Sequence, residues 1–136
     1  MANTLSEDIR NFRGGIYSNP YQGKDKKVVF VCSMGILRSA TAARIYARKY
    51  NTRSAGTWPD ALVPLTESLI IWADELVFVN VENYIHAQVM CMNMDNSALY
   101  NTMEEKATVL NIPDNYEHMH PKLVEAFEGQ YERISG

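Results

Sequence analysis

From residue 28 onward, short apolar runs alternate with longer segments whose apolar residues recur at helical spacing. The continuous β-branched and aromatic runs at 28–32 and 75–79 predict strands that are buried on both faces, and the runs at 52–55 and 107–112 predict two more. The predicted helices occupy 39–50, 66–73, 82–92, about 96–106 and 121–134. This alternation predicts an α/β fold, a three-layer sandwich in which helices flank a four-stranded parallel sheet.

Residues 1–27 do not continue this alternation. Leu5–Phe12 has the spacing of one short helix, but Gly14, Gly15 and Pro20 then break the pattern. We therefore interpret residues 1–27 as an N-terminal extension, either a short helix or a partly mobile segment, and residues 28–136 as the functional domain.

The composition limits the classes of protein to which this chain can belong. The chain has 136 residues, of which 46% are hydrophobic and 21% charged, as expected for one globular domain. A formal net charge of −3 argues against a nucleic-acid partner, and no apolar run approaches the roughly 20 residues that a membrane helix needs. The N-terminus lacks the basic and apolar segments of a signal peptide. Two cysteines form no disulfide framework, which favours the reducing cytoplasm.

The first predicted strand ends in a segment with the features of an anion site. Cys32 closes the strand, Arg38 lies six positions later, and Ser39 is the predicted N-cap of the following helix. Backbone N–H groups of the loop and the helix N-terminus can surround an oxyanion, and Arg38 can bind two of its oxygens. This positive field favours the thiolate, so we predict that Cys32 acts as a nucleophile.

A second candidate group, Asp114, follows the last predicted strand. The carboxyl ends of parallel strands share one edge of the sheet, and proteins of this architecture place their sites there. We therefore expect Cys32 and Asp114 to lie on the same edge, although they are far apart in sequence. Taken alone, the segment Pro113-Asp114-Asn115 is also ordinary turn chemistry.

Four segments in this order resemble those of the low-molecular-weight protein tyrosine phosphatases. They are the C-x5-R-S loop Cys32–Ser39, Ser54–Thr57, Ala73–Val77 and Ile112–Tyr116, the last being similar to the family's general-acid loop. The stretch 116–127, YEHMHPKLVEAF, is closer still to a short predicted tyrosine phosphatase subfamily. The resemblance covers about residues 27 to 128. It implies a phosphatase I-like fold and an activity that needs no cofactor and no metal.

The resemblance also implies a catalytic role for four side chains. Cys32 would attack phosphorus to form a phosphocysteine, Arg38 would hold two equatorial phosphoryl oxygens, and Ser39 would donate a hydrogen bond to the sulfur. Asp114 would protonate the leaving phenolate and then activate water. The implied substrate is a phosphotyrosine protein or a small aryl phosphate.

The other candidates belong to the same loop or to its surroundings. Trp58 and Tyr116 are candidate walls for an aromatic ring, although Trp58 suits a packing role equally well. His118 and His120 have no third ligand near them, which argues against a metal site. The residues expected to bind the phosphate, or a sulfate in its place, mainly through backbone N–H groups are Ser33, Met34, Gly35, Ile36 and Leu37.

Two alternatives to a phosphatase remain open. The family usually has Asn at the position of Gly35 and Pro at that of Asn115, and a less rigid loop would suit a module that binds phosphate or a phosphoprotein with little turnover. Arsenate reduction, which some proteins of this fold perform, is the weaker alternative. Its thioredoxin-linked form needs further cysteines, and only Cys91 is available.

Overall fold

A computed structural model describes residues 25–132 of the chain. The elements in chain order are β1 (Lys27–Cys32), α1 (Arg38–Ile45), β2 (Asn51–Gly56), α2 (Glu67–Trp72), β3 (Glu75–Phe78), α3 (Val81–Asn93), α4 (Ser97–Lys106), β4 (Ala107–Val109) and α5 (Pro121–Phe127), which a π-helical turn (Glu128–Glu132) continues. The predicted extension, residues 1–27, lies outside the described residues except at 25–27.

The four strands form one parallel sheet in the order β2-β1-β3-β4. The inner strands are β1 and β3, and the apolar residues 28–31 of β1 are fully buried. Within β1, Phe30 faces a cluster that includes residues of α1 and α5, whereas Val31 faces a cluster that includes residues of α2, α3 and α4. The protein is therefore an α/β protein with helices on both faces of a four-stranded parallel sheet, as the alternation of apolar runs predicts.

An aromatic cluster fills the face that α1 and α5 cover. Phe30, Tyr46, Phe127 and Tyr131 pack with ring centroids 5.3 to 6.3 Å apart, mostly edge to face. This cluster explains why the predicted helix 39–50 is wrong at its C-terminal end. The chain leaves α1 after Ile45 and turns, so that Tyr46 joins the cluster before β2 begins.

Two further boundaries differ from the prediction because tertiary contacts decide them. The strand predicted over 107–112 ends at Val109, although the N–H groups of Leu110 and Ile112 still donate to the chain along β3. The helix predicted over 121–134 changes to π-helical geometry at Glu128.

The predicted N-cap of the first helix is also wrong. The helix α1 begins at Arg38, Leu37 occupies the N-cap position, and no side chain caps it. The hydroxyl of Ser39 points to the sulfur of Cys32 instead. None of the helices within residues 25–132 has the length and apolar character that crossing a membrane requires.

Candidate active site

β1 brings Cys32 to the carboxyl edge of the sheet, where the chain loops back into α1. The buried Cys32 Sγ lies 3.0 Å from Ser39 Oγ and accepts a hydrogen bond from the backbone N–H of Gly35 at 3.2 Å. Both groups can donate to a thiolate, and hydrogen bonds to a charged acceptor are the stronger kind. The loop therefore places two potential hydrogen-bond donors against this sulfur.

Arg38 is a buried cation, with only 7% of its surface exposed. Its guanidinium donates to the Ile112 carbonyl at 3.2 Å and to Ser33 Oγ at 3.4 Å, and neither acceptor carries a charge. No carboxylate within residues 25–132 forms an ion pair with it. A buried charge is normally compensated, and a cation at a helix N-terminus is unfavourable, so Arg38 is an unusual buried cation among the described residues.

Two glycines allow the loop to pack directly against the end of β2. Gly35 has a φ of +82°, and a Cβ there would lie 2.7 Å from the carbonyl oxygen of Val63. A Cβ on Gly56 would collide with the carbonyl oxygen of Ser33. Ser54 Oγ then donates to the Gly35 carbonyl at 2.6 Å, which fixes the loop on this side.

Asn83, in the first turn of α3, fixes the loop from the other side. This buried amide donates from Nδ2 to Ser33 Oγ at 3.3 Å and to Thr57 Oγ1 at 3.1 Å, while its Oδ1 has no hydrogen-bond partner within residues 25–132. Sequence reasoning missed Asn83. The available signal was a polar residue in the first turn of the helix after β3, since that helix begins at the same edge of the sheet.

The predicted nucleophile, arginine and acid come together in one small pocket. It has a volume of about 150 Å³. The residues that line it are Cys32, Ser33, Met34, Leu37, Arg38, Trp58 and Asp114. The loop of Asp114 is fixed at both ends, because Ile112 N–H donates to Val79 at 2.8 Å and Met119 N–H donates to Thr41 Oγ1 at 2.8 Å. Between these anchors Asp114 is exposed.

The other predicted substrate-binding residues take different positions. Trp58 is exposed and lines the pocket, so it presents an apolar wall. Tyr116 does not line it, because its partly buried ring packs on the core and stacks on His120 with centroids 4.8 Å apart. Gly35 and Ile36 also lie outside the lining, and the N–H of Gly35 contacts the sulfur.

The second cysteine lies away from this pocket. Cys32 and Cys91 are both free and buried, and they belong to the clusters on opposite faces of the sheet. Burial, together with the Glu67 carboxylate, raises the pKa of the Cys91 thiol. Within residues 25–132 no three His, Cys, Asp or Glu side chains come together as ligands for a metal ion.

Comparison with known proteins adds no relative to this description. No family model, no curated protein and no solved structure matches the chain. The class of the site therefore has to be inferred from the arrangement of Cys32, Arg38 and Asp114 at the carboxyl edge of a parallel sheet.

Proposed function

We propose that this chain is a protein tyrosine phosphatase of the low-molecular-weight type, with a phosphatase I-like fold. It would hydrolyse phosphotyrosine or other aryl phosphate monoesters through a phosphocysteine, without a metal or another cofactor. The observation that carries this proposal is the buried Arg38, which no carboxylate within residues 25–132 pairs with and which shares one small pocket with Cys32 and Asp114.

In the first step, the phosphate monoester supplies a negative charge that balances the positive charge of Arg38. The Cys32 thiolate attacks phosphorus while the bond from phosphorus to the phenolic oxygen breaks. Asp114, protonated at this stage, gives its proton to the leaving oxygen. The charge on the transferring phosphoryl group is stabilised by Arg38, whose guanidinium Ser33 Oγ helps to orient.

In the second step, water releases the phosphoryl group from the sulfur. The Asp114 carboxylate takes a proton from the water, whose oxygen attacks phosphorus as the bond from phosphorus to sulfur breaks. Cys32 leaves as a thiolate, which the hydroxyl of Ser39 and the N–H of Gly35 stabilise. Inorganic phosphate then dissociates and the site returns to its starting state.

The surroundings of the pocket support an aryl substrate. Trp58 offers an exposed apolar face at the wall, and Asp114 lines the same pocket, which supports its proposed role as the acid for the leaving oxygen. A thiol nucleophile has to stay reduced, and both cysteines are free. The cytoplasm is therefore the setting that we propose for the reaction.

An aryl phosphatase assay in the presence of EDTA tests this function. Purified wild-type protein should release nitrophenol from p-nitrophenyl phosphate, Cys32→Ser should abolish turnover, and Asp114→Asn should slow it strongly. Turnover that depends on a metal and survives in Cys32→Ser would exclude the mechanism.

A phosphate-binding module with little turnover is the second candidate, and the exposure of Asp114 favours it. An exposed acid is less restrained at the leaving oxygen than a buried one would be. Tight binding of phosphate by the wild-type protein, together with negligible hydrolysis in the same assay, would select this candidate. Arsenate reduction gains no support, because Cys91 lies on the opposite face of the sheet from Cys32.

A further inference from the structure

A larger groove shares Trp58 with the catalytic pocket. Its volume is about 650 Å³, against about 150 Å³ for the pocket. The chain after β2 forms one wall with Trp58 and Pro59, and α3 with the residues after it forms the other wall with Val89, Met90 and Met94.

The groove is apolar and open to solvent. Trp58, Val89 and Met94 are all exposed. The described residues that line the groove include no Lys, Arg, Asp or Glu, and His86 is the one titratable side chain among them. Single exposed apolar residues are ordinary, but a concave group of them is typical of a binding site. Methionine side chains also adapt readily to apolar ligands of different shape.

Trp58 makes the groove continuous with the pocket, because it lines both. A pocket of about 150 Å³ has room for a phosphoryl group and the aromatic ring that carries it, but for little of a peptide beyond them. The rest of a peptide substrate has to leave the pocket past its rim, and on the Trp58 side it enters the groove. An acidic side chain would find no cation in this lining, whereas an apolar one would exchange water for apolar contacts.

We infer that the groove binds an apolar side chain that flanks the phosphotyrosine in a peptide substrate, an inference that rests on the proposed function. It narrows the substrate class from any aryl phosphate to phosphotyrosine in an apolar sequence. A small aryl phosphate fills the pocket alone, so its turnover is independent of the groove. Val89, on α3, becomes a residue that determines specificity without taking part in the chemistry.

Two synthetic phosphotyrosine peptides test this inference, one with leucine and one with serine at the two positions on each side of the phosphotyrosine. In the wild type, the kcat/KM for the leucine peptide should be about tenfold higher than that for the serine peptide, because a modest apolar contact contributes a factor of this size. Val89→Asn should remove this preference and leave turnover of p-nitrophenyl phosphate unchanged. Ile85→Asn is the matched control, since Ile85 lies on the same helix with 48% exposure against 42% for Val89 and does not line the groove.

Three results would overturn the inference. The first is an equal kcat/KM for the two peptides, and the second is a loss of preference in Ile85→Asn as large as that in Val89→Asn. The third is self-association in sedimentation that Val89→Asn abolishes, which would make a second copy of the chain the occupant of the groove. If the wild type does not hydrolyse p-nitrophenyl phosphate, the proposed function fails by itself. The affinities of both peptides for the Cys32→Ser protein, measured by calorimetry, then test separately whether the groove binds apolar side chains, because binding requires no turnover.

Discussion

The two edges of the sheet each contain a charged group that is withdrawn from water, and they treat that charge in opposite ways. At the amino edge, the Glu75 carboxylate accepts hydrogen bonds from Lys26 at 3.0 Å, Tyr131 at 2.8 Å and Thr108 at 2.6 Å. At the carboxyl edge, the partners of Arg38 among the described residues are an uncharged carbonyl and an uncharged hydroxyl. The first charge is satisfied by the protein itself, whereas no carboxylate within residues 25–132 balances the second, which under the proposed function would be balanced by the bound phosphoryl group.

This difference separates the Glu75 cluster, which supports the fold, from the Arg38 cluster, for which we propose a function. Burial raises the pKa of Glu75, but hydrogen bonds from Thr108, Lys26 and Tyr131 outweigh burial, so that its pKa is lowered overall. Such a carboxylate stabilises the fold while it is charged. A buried cation without a carboxylate costs stability, and Arg38 would gain its compensation only when an anion enters the pocket. The comparison predicts that changes at one edge affect folding, whereas changes at the other affect catalysis.

Arg38→Ala should produce the largest effect of the variants that test this comparison. We expect kcat/KM for p-nitrophenyl phosphate to fall about a thousandfold, because an arginine on a transferring phosphoryl group has this order of value. The free energy of unfolding should stay the same or rise, since the variant removes an uncompensated buried charge. Kinetics and urea unfolding measure the two quantities. A destabilised Arg38→Ala protein with an intact rate would reverse the comparison.

Asp114→Asn should reduce kcat for phenyl phosphate about a hundredfold, within the usual range for a lost general acid. The reduction should be smaller for p-nitrophenyl phosphate, whose leaving group needs less protonation. The ratio of the two reductions is the informative measurement. An identical reduction for both substrates would assign Asp114 a role other than proton donation to the leaving group.

Asn83→Ala should reduce kcat/KM about tenfold and weaken inhibition by inorganic phosphate in parallel, because the loop loses a donor that orients Ser33. Asn101→Ala, on the exposed surface of α4, is a matched control that should change neither quantity. If Asn83→Ala lowers stability alone and leaves phosphate inhibition intact, Asn83 is a packing residue and does not position the loop.

Glu75→Gln should have the smallest effect on catalysis, with less than about a twofold change in kcat/KM, and should cost about 2 kcal/mol of stability at neutral pH. The pKa of Glu75 is lowered in the folded protein, so its stabilisation is present above the ordinary pKa of a glutamate. It is lost as the pH falls through the lower, folded value. Urea unfolding from pH 7 downward should therefore show a decline in the wild type that is reduced in Glu75→Gln. Parallel curves would contradict this assignment.

Local spacing made part of the site predictable. The run that ends in Cys32 is apolar and β-branched, which predicts the strand, and Arg38 follows at a distance that a single loop can span. Asp114 was predictable through a rule of architecture, because the ends of parallel strands share one edge. Each of these inferences uses only chain order and local pattern, which the sequence contains directly.

The remaining features depend on contacts between distant segments. Asn83 supports the loop only because α3 begins beside Ser33, and no local sequence pattern predicts that these two segments lie side by side. Ser39 matches a helix N-cap by sequence, but the sulfur of Cys32 competes for its hydroxyl. α1 ends early because Tyr46 joins an aromatic cluster with Tyr131, a residue from the far end of the described chain. Tertiary packing overrides local propensity at each of these positions.

The most direct test of the central claim is to locate the phosphoryl group on the protein during turnover. Asp114→Asn protein turning over p-nitrophenyl phosphate with EDTA present is denatured and digested at alkaline pH, where the phosphorus–sulfur bond survives, and is analysed by mass spectrometry. Loss of the group that activates water should slow the second step, so we predict a phosphoryl group on Cys32 that disappears once the substrate is consumed. Continued turnover with Cys32 unmodified, or with the phosphoryl group on another side chain, would contradict the account.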